Sequence, residues 1–152
     1  MNIKSLICTI SVGAFAFAVT GCAHNAQSRV KDGEIAKTID LEQNKKNYIE
    51  VVGIGGADAS LTNSTQRKAT SRNAAVVDAQ YRLLSMVKGL RVTGGITVEK
   101  AIETDSKLQT IIDAELKGAE EVKYEWTSDD GCLVTMRIDK NRLAKMMGVK
   151  FE

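Results

Sequence analysis

Hydrophobic and polar positions divide the chain into three stretches of different periodicity. From Leu6 to Val19 apolar residues run almost without interruption for about 14 positions. Residues 23–46, "AHNAQSRVKDGEIAKTIDLEQNKK", are polar. Their Val30, Ile35, Ile39 and Leu41 are too sparse to bury much, which predicts a tether or a weak helix interrupted at Gly33. From Tyr48 onward regular periods set in. "NYIEVVGIGG" reads as a strand, and "LTNSTQRKATSRNAAVVDAQYRLLSMVKG" as a long helix capped by Thr62 or Asn63 and ended by Gly89. Its apolar stripe, Ala69, Ala75 or Val76, Ala79, Leu83 and Val87, is rich in alanine and suits close packing on a sheet.

Beyond that helix, "LRVTGGITVEKAI" reads as a second strand bent at Gly94-Gly95, and "DSKLQTIIDAELKG" as a second helix stopped by Gly118. "AEEVKYEWTSDDGCLVTMRIDK" is a hairpin turning near Asp130-Gly131, and "NRLAKMMG" a short closing helix. In the hairpin Val122, Tyr124 and Trp126 share one face, and Cys132, Val134, Met136 and Ile138 one face of the return strand. The expected fold is α+β in the order β-α-β-α-β-β-α. It has a small antiparallel or mixed sheet of about four strands, with the long helix packed on one face.

The apolar N-terminal run is too short to span a bilayer core of roughly 30 Å, which needs about 20 helical residues. With the amino terminus and Lys4 ahead of it, the run reads as a cleaved export signal over residues 1–21. Val19-Thr20-Gly21-Cys22 at its end resembles the bacterial lipobox, in which the cysteine thiol is lipidated and becomes the first residue of the mature chain. Two or three acyl chains, each contributing about 0.8 kcal/mol per buried CH₂, make such an anchor effectively permanent. Ala23 rather than an aspartate follows Cys22, which by resemblance to the sorting rule of enteric bacteria directs the protein to the outer membrane. A flexible chain of about 24 residues reaches roughly 25–30 Å, so a tether over 22–46 would hold a domain at 47–152 just off the lipid, facing the periplasm.

At 152 residues, 43% apolar and 26% charged, the chain supports one modest core plus appendages. Cys8, Cys22 and Cys132 form no C-x-x-C pair or zinc pattern, and His24 is the sole histidine, so neither a disulfide framework nor a His/Cys metal site is expected. Losing Lys4 with the signal takes the 21 basic side chains to 20, against 19 acidic ones. No basic run exceeds Lys45-Lys46, which argues against a nucleic-acid partner and a polybasic lipid patch. Cys132, on an apolar strand face, reads as a buried hydrophobe. "GIGGAD" lacks the third glycine of a dinucleotide loop, having Asp58 in its place, and reads as a strand end with a relaxed backbone. Glu120-Glu121 point to opposite strand faces and Asp129-Asp130 lie at a turn, so neither forms a general acid/base pair. No catalytic, cofactor-binding or metal-binding residue is expected.

The lipobox combined with "VVGIGGA", "SRNAAVVDAQYRLLSMVKGL", "TVEKAIETD", "LKGAEEV" and "DDGCLVTMRI" resembles the LPP-twenty lipoprotein family, and within it the flagellar outer-membrane members. The resemblance covers roughly residues 48–150. It is carried by Ala74, Asp78, Ala79, Gln80 and Leu83 on the long helix, then by Thr97, Val98, Lys117, Gly118 and Ala119. It implies a non-enzymatic protein that forms homo-oligomeric rings or disks at the outer membrane around the flagellar basal body, beside other outer-membrane or periplasmic ring proteins, and is needed for motility. An envelope lipoprotein of the same fold that binds a ligand or the cell wall remains the alternative. The paired glycines Gly94 and Gly95 are a candidate subunit interface, with a local bulge inside the monomer as the competing reading.

Cys22→Ser is expected to abolish acylation and membrane residence, because serine lacks the thiolate that takes the diacylglyceryl group. Radiolabelled palmitate incorporation with membrane fractionation checks this, and a labelled, membrane-bound variant would sink the lipobox reading.

Overall fold

The computed structural model describes Ser28–Arg29 and residues 43–152. The signal segment and Cys22 lie outside the described residues. The elements are β1 (Ser28–Arg29), β2 (Gln43–Asn44), β3 (Tyr48–Gly55), α1 (Ser64–Gly89), β4 (Arg91–Val92), β5 (Ile96–Thr97), α2 (Val98–Thr104), α3 (Lys107–Lys117), β6 (Glu120–Trp126), β7 (Cys132–Asp139) and α4 (Lys140–Met147). The main sheet has the order β1-β6-β7-β3-β2. Only β1 against β6 is parallel, the other pairs being antiparallel. The α+β class is as expected, with three full strands and two two-residue edges. Those edges come from the span expected as tether.

Alternation along β3 and β7 gives the sheet two distinct faces. Ile49, Val51, Gly53 and Gly55 lie opposite Ile138, Met136, Val134 and Cys132, and this face carries the main core. Glu50, Val52 and Ile54 lie opposite Arg137, Thr135 and Leu133 on the other face. Helix α1 starts at Asn63, whose Oδ1 accepts the Thr65 N–H at 2.8 Å. It buries Ser71, Ala75, Ala79, Leu83 and Val87, one residue per turn. The predicted stripe was therefore right from Ala75 onward. Ala69 is exposed, and Ser71 takes the buried place because an i, i+4 row extended back from Ala75 reaches Ser71.

The residues facing that stripe explain its alanines. A β-carbon on Gly53 would lie 2.1 Å from the Ala75 carbonyl oxygen and 2.4 Å from the Ala79 amide nitrogen, and one on Gly55 would lie 1.8 Å from the Ser71 carbonyl oxygen. Strand and helix backbones are thus in direct contact, which only glycine on one side and small residues on the other permit. "GIGG" does end a strand, and its Gly53 and Gly55 are in addition a packing surface for the helix.

The predicted second strand is a correction. Leu90–Ile102 does not join the main sheet: Arg91–Val92 and Ile96–Thr97 form their own small hairpin, and Val98 begins a helix. Gly94 and Gly95 have φ of +110° and +76°, which fold the chain back over three residues, with the Gly95 N–H donating to the Val92 carbonyl at 3.0 Å. Thr97 then caps α2, its Oγ1 accepting the Lys100 N–H at 3.3 Å. The C-terminus adds a third rung, as the Thr93 N–H donates to Lys150 and the Glu152 N–H to Arg91.

The β6–β7 hairpin turns at Asp130, which has φ of +65°, as its sequence indicated. A bulge between Glu121 and Lys123 shifts the alternation there. Glu121, Tyr124 and Trp126 consequently lie opposite Met136, Val134 and Cys132, so Glu121 occupies the core-side register where Val122 was predicted. Helix α3 ends at Gly118, and α4 is capped by Asp139, whose Oδ1 accepts the Asn141 and Arg142 N–H groups.

Gly55→Ala is expected to destabilise the domain by roughly 3 kcal/mol or more, since its new methyl meets backbone that cannot yield. Gly56→Ala, with open space around its β-carbon, is expected to stay within about 0.5 kcal/mol. Ala79→Glu should fail like Gly55→Ala, while Gln80→Glu is tolerated. Chemical denaturation of the four variants checks the ranking, and equal midpoints would place the helix on the sheet incorrectly.

Candidate functional site

Among the described residues the charged side chains that sequence reasoning weighed for chemistry hold structural positions. Asp130, in the hairpin turn, accepts from Arg67 Nε and Nη2 at 3.0 and 2.7 Å and from Ser64 Oγ at 3.0 Å, while its carbonyl accepts from Ser71 Oγ at 2.7 Å. The turn is thereby bolted to the first turns of α1. The hydrogen bond from Arg67 holds the Asp130 carboxyl below the usual carboxylate range. Its stabilising contribution is present above that range and is lost as pH falls through the lowered value. Glu121 pairs with Arg72 on α1, and Glu120 points to the other face, as expected for neighbours on a strand.

Asp78 has a role that the helical pattern alone did not assign. Its Oδ2 accepts the backbone N–H of Ile54 at 2.9 Å and is held by Arg82 Nε at 3.0 Å. Strand β2 pairs with β3 only at Ile49 and Glu50, so Ile54 lies on an edge not covered by β2. A carboxylate from the helix therefore occupies a donor that another strand could otherwise use. At the opposite flank of the core, Arg72 lies over the Tyr124 ring at 5.5 Å and Lys68 over Trp126 at 5.6 Å, the two rings meeting edge to face. The Trp126 indole Nε1 is buried with no hydrogen-bond partner.

The concave surfaces follow the same logic. One cleft of about 260 Å³ is lined by Asn47, Tyr48, Glu115, Arg137, Asp139 and Arg142 among others. Both of its arginines are engaged: Arg137 Nη2 meets Glu50 at 2.6 Å, and Arg142 Nη2 meets the buried Glu115 at 2.8 Å. No group of three or more His, Cys, Asp and Glu side chains among the described residues could hold a metal ion. Nor does any described helix have the length and apolarity to cross a membrane. Cys132 is fully buried, and desolvation pushes its thiol up to about 11, far from a reactive thiolate.

Four large apolar side chains, Val77, Tyr81, Ile96 and Met146, are exposed among the described residues. On α1, Val77 and Tyr81 are 65% and 72% exposed, one turn apart. Tyr81 borders a shallow cleft of about 250 Å³ with Asp78, Arg82, Ser85 and Met86. Gly94 and Gly95, the candidate interface residues, sit at the tip of the small hairpin beside Ile96, which is 46% exposed. A β-carbon on either glycine meets nothing within 4 Å. Their positive φ accounts for both glycines as turn residues, so close backbone approach is not needed to explain them. Sequence reading missed Val77 and Tyr81, because it assigned the helix a buried stripe and left the opposite face unexamined. Cys22, the proposed lipidation site, lies outside the described residues.

The Cys132 thiol is expected to resist a thiol-specific reagent at pH 8 in the folded chain and to react stoichiometrically in denaturant. Titration under both conditions checks this, and rapid native modification would show that the strand face is open. No family model, curated protein or solved structure matches this chain.

Proposed function

We propose that this chain is an outer-membrane-anchored lipoprotein, facing the periplasm, that assembles into a ring or disk associated with the flagellar basal body and is needed for motility. The role is non-enzymatic. The lipobox at Cys22 supports the anchor. The similarity of residues 48–150 to the LPP-twenty family, and within it to the flagellar outer-membrane lipoprotein FlgP, supports the assembly.

The observation that carries this reading is the contrast between the two sides of α1. Its inner side holds the family-motif residues Asp78, Ala79 and Leu83 in structural contacts, with Asp78 on the β3 edge and Ala79 against Gly53. Its outer side presents Val77 and Tyr81 to solvent. Large apolar side chains at helical spacing on a surface suit contact with another protein, and in a ring the partner is a second copy. Ile96 at the hairpin tip is a second such point.

Val77→Glu and Tyr81→Glu are expected to stay within about 0.5 kcal/mol of the parent's stability, since each side chain is largely solvated, and Ile96→Glu, which is half exposed, to cost about 1 kcal/mol. At least one of them should lower the mass of the assembly and impair swimming. Light scattering of the delipidated mature protein reads the first effect, and imaging of flagellar motors with and without the protein reads the second. A strictly monomeric parent with normal motors in its absence would instead favour an envelope lipoprotein that binds a ligand or the cell wall. Gly95→Val is unsuited to this test, because its φ of +76° strains any branched residue whether or not the tip touches a partner.

A further inference from the structure

Two charged side chains are buried among the described residues, and their surroundings differ. Glu115, 6% exposed, is matched by Arg142. Lys140, 8% exposed, meets only neutral acceptors: its Nζ donates to Asn44 Oδ1 at 3.0 Å and to the Lys45 carbonyl at 3.2 Å. An ammonium has three protons to donate, and a buried one is ordinarily paired with an acid. No carboxylate among the described residues pairs with Lys140. Its charge is held in place and left uncancelled.

The residues around it add charge of the same sign. The Lys140 N–H donates to the Asn47 carbonyl at 2.9 Å, which fixes the turn between β2 and β3 against the start of α4. Lys140 lines a cleft there of about 390 Å³, together with the exposed Lys46 and Lys150 and the amide side chains of Asn47 and Asn141. Glu152 brings the one acidic side chain on this wall, against three lysines. The first N–H groups of α4 take no part, because Asp139 already accepts those of Asn141 and Arg142. An adjoining cleft of about 640 Å³ shares Ala144, Val149 and Lys150 and adds Val92 and Lys145. Run length along the chain did not reveal this cluster. Lys46 precedes β3 while the other lysines lie on α4 and just after it, so only the fold sets them around one groove.

We propose that the two adjoining clefts bind the headgroup of an anionic phospholipid. Its phosphate lies among Lys46, Lys140 and Lys150, and its glycerol rests against Ala144, Val149 and Val92. Lysine acts on a phosphate as a point charge, so exposed lysines on flexible stems can close on it from several directions. The apolar walls beside the cations are what favour a lipid phosphate over a free one, since inorganic phosphate has nothing to place there. Occupancy turns α4 and the β2–β3 turn toward the lipid and gives a tethered domain one preferred orientation. The lipid source rests on the proposed membrane anchor, whereas the phosphate chemistry does not.

Flotation of the mature chain carrying Cys22→Ser with vesicles tests the site, because without acyl chains the clefts alone must hold the protein. Phosphatidylcholine vesicles containing about one-third phosphatidylglycerol should retain it at low ionic strength, and pure phosphatidylcholine should not. Lys46→Gln with Lys150→Gln should weaken retention about 25-fold, from about fivefold per lysine, with the parent's melting temperature kept. Lys100→Gln with Lys107→Gln remove the same charge from outside both clefts and should cost clearly less. Equal retention of the parent on both vesicles, or equal losses for the two double variants, would overturn the proposal. A melting temperature raised by inorganic phosphate at fixed ionic strength in the parent but not in Lys46→Gln with Lys150→Gln, without vesicle binding, would assign the cleft to free phosphate and overturn the lipid source. Failure on these arms leaves acylation of Cys22 and assembly standing, and an unacylated Cys22 would leave retention by the clefts standing.

Discussion

The contact between Gly53 and Gly55 on β3 and Ser71, Ala75 and Ala79 on α1 sets the geometry of everything else in this domain. With no β-carbon on the strand and at most a methyl or hydroxymethyl on the helix, the two backbones touch. That closeness decides where the rest of the helix goes. Further along, the stripe changes from small residues to Leu83 and Val87, and both are fully buried among Val51, Ile112 and Leu143. The helix therefore lies tight at its N-terminal half and stands over a conventional apolar core at its C-terminal half. The same closeness brings Asp78 within hydrogen-bonding reach of the Ile54 amide and Ser71 within reach of the Asp130 carbonyl.

Polar groups are arranged around this contact as clasps. Asp130, Asp78 and Glu121 each tie α1 to a different strand or turn of the sheet, and Lys140 Nζ ties the start of α4 to Asn44 and the Lys45 carbonyl. Partly solvated ion pairs of this kind contribute little apiece. Their value is geometric, since each fixes one element where the apolar contact alone would allow sliding. The cleft beside Arg137 and Arg142 belongs to the same set, because both guanidinium groups are already matched by carboxylates. Among the described residues the large apolar side chains left exposed are Val77, Tyr81, Ile96 and Met146.

Local patterns in the sequence were sufficient wherever the partner of a residue lies within one turn or one hairpin. Asn63 as the cap of α1, Gly118 as the stop of α3, the turn at Asp130-Gly131 and the burial of Cys132 with Val134, Met136 and Ile138 all depend on neighbours a few positions away. The α+β class followed from the same periodicities, and so did the alanine stripe from Ala75 onward.

Tertiary structure decided what depends on distant partners. "RVTGGITV" has the composition of a bent strand, and a strand's composition does not say which sheet it joins; positive φ at two successive glycines and a cap at Thr97 made it a separate hairpin followed by a helix. The bulge that set Glu121 in place of Val122 opposite Met136 is a property of register against β7. Register is a relation between strands and is written in neither one. Ser28–Arg29 and Gln43–Asn44 look like parts of a polar linker because two residues carry no period, and only their pairing with β6 and β3 reveals them as sheet. The glycines of "GIGG" could be read as a loop or a strand end until Ala75 and Ala79 were placed against them. Sequence determined the caps, stops, turns and longer elements through contacts along the chain, and the fold determined which short strands, faces, edges and glycines matter through contacts across it.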